Sequence, residues 1–304
     1  MTPFRFDGRV AVITGGGRGL GLAYAQMLAG LGARVVIADN GSALDGSGAD
    51  RGIAETAAAA IRATGGEAIA CTDSVATASG GKAIIAAALD SWGRLDILIH
   101  NAGNTRFDRF ADITEEAFRS ILDVHLMGGF HVTRPAFPWM CKAGYGRIVL
   151  TGSIGGIYTM PQVAAYAVAK SGMIGLANIL AIEGAEHGVK ANLILPGAVT
   201  RMAEGLDTSA YPPMGPELVA PMVGYLAHES CAVSAELYAA VGGRMARVFI
   251  AESPGRYRPQ WSIADVAAEL DAIRDPQGAW TLHPAEGAFG EHLARSFAMA
   301  SAAD

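Results

Sequence analysis

Five residues, Val10-Ala11-Val12-Ile13-Thr14, form an apolar run that breaks into Gly15-Gly16-Gly17-Arg18-Gly19-Leu20-Gly21 and then into a helical period closed by Gly32. A short run without polar alternation is the pattern of a strand covered on both faces. The same change of period recurs down the chain. Strands are expected at 34–38, 67–71, 95–100, 146–150 and 189–195, with helices over 52–63, 80–92, 115–141 and 164–187. Strands separated by helices of ten or more residues build a parallel sheet, so the fold class is α/β and doubly wound.

Past Pro196 the pattern loosens. Residues 197–216 read as loop, followed by a helix at 217–228 and strands at 236–240 and 245–251. Ser262-Ile263-Ala264-Asp265 has the form of a capping box before a helix, and 286–299 is amphipathic. No repeat or clean linker interrupts the chain, so one domain is expected over 1–250, with 251–304 as a C-terminal helical appendage packed on it.

Composition narrows the function. Of 304 residues, 51% are hydrophobic and 17% charged, and the net charge is −6 with no Lys/Arg cluster, which argues against a nucleic-acid partner. Three cysteines without CxxC spacing point away from disulfides or a metal site and toward a reducing compartment. The first ten residues have no apolar core of a signal peptide, and Lys170 interrupts the most apolar stretch, 163–182, so no membrane span and a cytoplasmic location are expected.

The glycine loop lies where a pyrophosphate could approach bare backbone at a helix N-terminus. Gly15, Gly19 and Gly21 set a GxxxGxG spacing, which by itself also fits an unliganded tight turn. Asp39, at the end of the second strand, is placed to accept hydrogen bonds from the adenosine ribose and to repel a 2′-phosphate. Arg18 pulls the other way, because a guanidinium could bind that phosphate. NAD is therefore expected over NADP.

A second constellation spans 153–170. On a helix, Tyr166 and Lys170 lie one turn apart on one face, with Ser153 upstream. A phenol with a pKa of about 10 is a poor base at neutral pH. A fixed ammonium beside it is expected to favour the phenolate. The chain's other lysines are Lys82, Lys142 and Lys190, and the residues around Lys170 are almost wholly apolar, so a solvated helix face does not explain it. Because the 164–181 helix is apolar nearly all round, it is expected to meet another subunit, with 115–141, in a homodimer or homotetramer.

These residues together resemble the short-chain dehydrogenase/reductase family, over about residues 8–245. The matching motifs are TGGGRGLG, Asp39, Asp73-Ser74, Asn101-Ala102-Gly103, Ser153, Tyr166 to Lys170, and Pro196-Gly197. The resemblance implies a Rossmann-type fold with cofactor and catalysis in one domain. It implies Asp73 and Ser74 near the adenine, Leu20 in the glycine loop, and Asn101, Ala102, Gly103 and Lys170 at the ribose. Pro196-Gly197 would line the nicotinamide and Thr200 would hold its carboxamide. Within that family the 40–50 insertion, Val124-His125-Leu126 and the 227–231 AHESC stretch look like the (3R)-hydroxyacyl-CoA dehydrogenase domain of peroxisomal multifunctional enzyme type 2 and its stand-alone bacterial relatives. The wider family usually has asparagine where this chain has His125, so two readings of His125 stand: a catalytic proton relay or a hydrogen-bonded structural histidine.

The implied activity is interconversion of a secondary alcohol and a ketone. Tyr166 would take the alcohol proton, Ser153 would position the oxygen, and Lys170 would sustain the tyrosine and bind the ribose. A 3-hydroxyacyl-CoA, with a steroid side chain as one form, is the leading substrate. A hydroxysteroid or other small hydrophobic alcohol comes second, and a non-catalytic dinucleotide-binding protein is remote. Residues 197–224 are expected to choose the substrate, with Arg201, Arg244, Arg247, Arg256 and Arg258 as candidates for CoA phosphates.

Overall fold

The structure is a computed structural model and describes residues 4–201 and 210–302. Its chain forms two compact units, Met1–Arg247 and Val248–Asp304.

In the first unit, six parallel pairings join seven strands: β1 (Val10–Thr14), β2 (Arg34–Ala38), β3 (Glu67–Cys71), β4 (Ile97–His100), β5 (Gly146–Thr151), β6 (Val189–Gly197) and β7 (Leu237–Val241). An eighth, β8 (Arg244–Val248), completes the order β3-β2-β1-β4-β5-β6-β7-β8. Gly242 and Gly243, both at positive φ, make the two-residue turn from β7 to β8, a turn type that suits the twist of a hairpin.

Each parallel connection crosses over through helices: α1 (Gly19–Gly30), α2 (Arg51–Ala63), α3 (Ala78–Trp92), α4 (Glu115–Leu122), α5 (Gly128–Ala143), α6 (Ala164–Gly184) and α7 (Ala220–Ala227). Alternate strand residues Ile13, Ile37 and Ile99 pack with Tyr24, Leu28, Ile61 and Leu226 of α1, α2 and α7. Val12, Val36, Leu98 and Ile148 are equally buried, as the period of two requires of the opposite face, which α3, α5 and α6 cover. The doubly wound Rossmann-type expectation therefore holds.

The long helix expected over 115–141 is divided. Asp123–Met127 forms a π-turn between α4 and α5. No residue type in that stretch forbids an α-helix; what selects the π-turn is its tertiary contacts, given below. With its following turn, α6 is long and apolar enough to cross a membrane. Here it is a core helix along β6, with Ala165, Ala169, Met173, Ala177 and Leu180 buried.

The AHESC stretch has a structural task. Buried Arg147 donates to the carbonyls of His228 (3.1 Å) and Glu229 (3.0 Å) and to those of Gly146 and Gly188. The His228 ring packs edge-on against Phe4 and Phe6.

The second unit pairs β9 (Ala251–Glu252) with β10 (Trp280–Thr281) antiparallel and holds α8 (Ile263–Ile273) and α9 (Ala288–Ser301). The capping box at Ser262 and Asp265 is present, with both reciprocal bonds made. The expected strand at 245–251 is replaced by β8 and the two-residue β9. None of this unit's described residues is fully buried.

Candidate active site

The order of the strands reverses direction at β1, flanked by β2 on one side and β4 on the other. In such sheets the crevice at the carboxyl ends of these strands is where ligands bind. Thr14, Asn101, Thr151 and Pro196 all lie at that edge.

The glycine loop is built by close approach. A Cβ on Gly15 would lie 2.8 Å from Ala102 Cα, one on Gly17 would lie 2.9 Å from Asp39 Oδ2, and one on Gly21 would collide with the Gly15 carbonyl. Gly19 has φ +53 and faces Thr200 Cγ2. No side chain caps α1, and its first turn holds no acid. Its N–H groups and the positive end of its dipole are therefore open to an anion.

Asp39 accepts from Gly17 N (2.9 Å) and Gly41 N (2.8 Å), one bond per oxygen, and each oxygen keeps a lone pair for a hydroxyl. Arg18 lies over the 40–50 insertion, donating to the Ser42 carbonyl at 2.9 Å, and Arg201 reaches the same carbonyl at 3.2 Å. Exposed Asp73 takes a weak bond from Cys71 Sγ, and Asp39 N donates to the Cys71 carbonyl, so these residues share one corner beside Ser74. The Asn101 side chain donates to the Gly15 carbonyl at 3.2 Å and clamps the loop. Glycine loop, uncapped helix and Asp39 together fit a dinucleotide, for which Leu20 and Gly21 would offer backbone to the pyrophosphate and Asp39 lone pairs to a ribose hydroxyl.

Ser153 and Tyr166 meet after β5. Ser153 Oγ accepts from Gly155 N at 2.9 Å and is hydrogen-bonded to the Tyr166 phenol. A Cβ on Gly155 would touch both side chains, so glycine there lets them meet. Lys170 is buried one turn along α6, its Nζ 5.6 Å from the Tyr166 ring centroid and donating to the Thr151 carbonyl at 2.6 Å.

The electrostatic expectation needs correction. Burial pushes the Tyr166 phenol above its usual value, and the Ser153 hydrogen bond offsets this only in part. Burial also pushes the Lys170 ammonium down to about 7. On both groups burial is the largest cause, because an apolar surrounding penalises the phenolate and the ammonium alike.

His125 sits in the π-turn, fully buried, its ring edge-on to that of Tyr166 with centroids 5.3 Å apart. Nε2 lies 2.8 Å from the Asn104 carbonyl and 3.1 Å from Asn104 N, while Nδ1 has no partner among the described residues. Burial foremost, then the Lys170 charge, holds the ring well below the usual histidine range and hence neutral. A Cβ on Gly103 would lie 2.6 Å from His125 Cε1.

Sequence reasoning missed His100 and Thr151 as parts of this site, and gave Thr14 no role beyond opening the TGGGRGLG motif. A histidine closing an otherwise apolar strand was the one available signal.

Three of the arginines proposed for CoA phosphates are engaged with acids: Arg247 with Glu236, Arg256 with Glu269, and Arg258 with Asp265 and Glu269. Part of the segment expected to choose the substrate, 202–209, lies outside the described residues.

Comparison with known proteins agrees with this geometry. The short chain dehydrogenase family model matches residues 9–209. The chain is 46% identical over 228 residues to peroxisomal multifunctional enzyme type 2 of Drosophila melanogaster, covering 75% of this chain but 38% of that longer protein. It is 33% identical over 297 residues to a hydroxyacyl-CoA dehydrogenase of Mycobacterium tuberculosis, covering 90% and 92% of the two chains. The crystal structure of a short chain dehydrogenase from Mycobacterium avium superposes with a TM-score of 0.78 at 35% identity, covering 88% of this chain and 94% of that one. Members of this family bind a nicotinamide dinucleotide. The chain belongs to the short-chain dehydrogenase/reductase family and is an oxidoreductase.

Proposed function

We propose that this protein oxidises a 3-hydroxyacyl-CoA to the 3-ketoacyl-CoA with NAD. The observation that carries the reading is the meeting of Ser153, Tyr166 and Lys170 at the mouth of the crevice that begins at the glycine loop. The bound nicotinamide supplies the hydride acceptor. Tyr166 takes the hydroxyl proton as its phenolate, which the positive charges of Lys170 and of the oxidised nicotinamide favour against burial. Ser153 holds the oxygen, and Lys170, with two donors beyond its bond to Thr151, binds the ribose.

Asp39 supports NAD, since a carboxylate at the ribose repels a 2′-phosphate. Arg18, turned onto Ser42, is committed to the 40–50 loop. The substrate class is supported by the hydroxyacyl-CoA dehydrogenase of M. tuberculosis, aligned over nearly its whole length.

Exposed Phe130 and Trp139 on α5 and Val168 and Ile179 on α6 support a homo-oligomer built on these helices. Three unpaired cysteines support a reducing, cytoplasmic setting.

Initial rates with NAD and NADP against D-3-hydroxyacyl-CoA thioesters and a hydroxysteroid panel test the reading. Turnover of the thioesters with NAD is expected; steroid turnover without thioester turnover overturns the substrate class. Tyr166→Phe is expected to lower kcat by at least about 1,000-fold while leaving NADH binding within about threefold of wild type.

A further inference from the structure

His100 closes β4 fully buried, yet the chemistry of Ser153, Tyr166 and Lys170 makes no use of it. Its two ring nitrogens span the site. Nδ1 lies 3.0 Å from Thr14 Oγ1, at the end of the strand that feeds the glycine loop. Nε2 lies 3.0 Å from the carbonyl oxygen of His125, in the π-turn.

The tautomer follows from counting protons. Thr14 Oγ1 already accepts from the backbone N–H groups of Asn101 and Ala102, each at 3.1 Å. A hydroxyl has two lone pairs and one proton. With both pairs engaged, the proton goes to Nδ1 of His100. Nδ1 is therefore bare, and Nε2 carries the hydrogen and donates to the His125 carbonyl. Burial, reinforced by the Lys170 charge, holds the ring down to about 4, so it carries a single proton.

The ring is also wedged in place. A Cβ on Gly128 would lie 3.3 Å from His100 Cε1, and one on Gly129 would lie 3.3 Å from Cδ2. Thus α5 begins with two glycines directly against the imidazole. The backbone that His100 grips is the backbone of His125, whose ring abuts Tyr166.

We propose that His100 is a positioning residue for the reaction: by bonding Thr14 and the His125 carbonyl together, it sets the π-turn against Tyr166 in register with the glycine loop. This rests on Tyr166 as the proton acceptor of the proposed function. The role belongs to His100 through both nitrogens at once, so a side chain with one acceptor and one donor at similar spacing should replace it, and an apolar one should not. Glutamine supplies that pair in its amide.

The test compares the full-length chain with His100→Leu and His100→Gln. His100→Leu is expected to lower kcat about tenfold or more with KM for the dinucleotide within about threefold, and His100→Gln to recover kcat to within about threefold of wild type. A leucine variant that loses melting temperature but keeps wild-type kcat overturns the proposal, since the residue is then only structural. Glutamine no better than leucine also overturns it. Side-chain 15N spectra of the wild-type protein give a readout independent of folding of the variants and of turnover. A neutral His100 protonated at Nε2 is expected, and protonation at Nδ1 overturns the bridge. A wild-type enzyme that turns over no hydroxyacyl thioester refutes the proposed substrate instead, and leaves the 15N result to judge His100.

Discussion

Lys170 shows how a single residue can work against the fold that holds it. Its folded value near 7 lies below the 10.5 of an unperturbed lysine because burial penalises the ammonium. Between those values the unfolded chain binds a proton that the folded chain releases, so stability rises with pH across that window. Below about pH 7 the full cost of the buried charge is present. Lys170→Met is therefore expected to melt at a higher temperature than wild type at pH 7, by several degrees, with the gap closing toward pH 10, while dehydrogenase activity is lost. Differential scanning calorimetry at the two pH values checks this; a gap that widens with pH contradicts it. The pairing of Tyr166 with Lys170 was legible in the sequence because helical spacing is local. The raised phenol and depressed ammonium were not, because desolvation depends on what packs around the pair.

At the level of elements, the π-turn at Asp123–Met127 matters most. It places His125 between Tyr166 and Asn104, and Gly103 passes directly beneath the ring. Gly103→Ala is expected to lower kcat about 10- to 100-fold, because the new methyl meets a rigid ring at 2.6 Å and must displace it. Melting temperature should fall by only a few degrees, as Gly103 itself is exposed. Steady-state kinetics beside a thermal melt separate the two effects, and an unchanged kcat contradicts the crowding argument. Apolar periodicity located helix 115–141 but not its interruption. An inserted π-turn leaves no mark in periodicity; the contacts that hold it come from β4 and the loop after it. The glycines were legible as a motif, yet the reason for each lies in which chain segment crosses it.

For the whole molecule, the exposed apolar residues on α5 and α6 predict an oligomer. Light scattering at micromolar concentration is expected to give a mass of two or four chains; a single-chain mass contradicts it. The alternation of strands with crossover helices, the parallel doubly wound class and the choice of Asp39, Ser153, Tyr166 and Lys170 as candidates followed from sequence alone, because each depends on local period, spacing or position at a strand's end. The order of the strands in the sheet did not. Only the tertiary structure could decide that Thr14 stands opposite His100, that the Thr151 carbonyl receives Lys170, and that Arg147 gathers the His228 and Glu229 carbonyls. These contacts join residues 19 to 86 positions apart. Their partners are chosen by the register of parallel strands and the depth of burial, and neither quantity is carried by neighbouring residues in the chain.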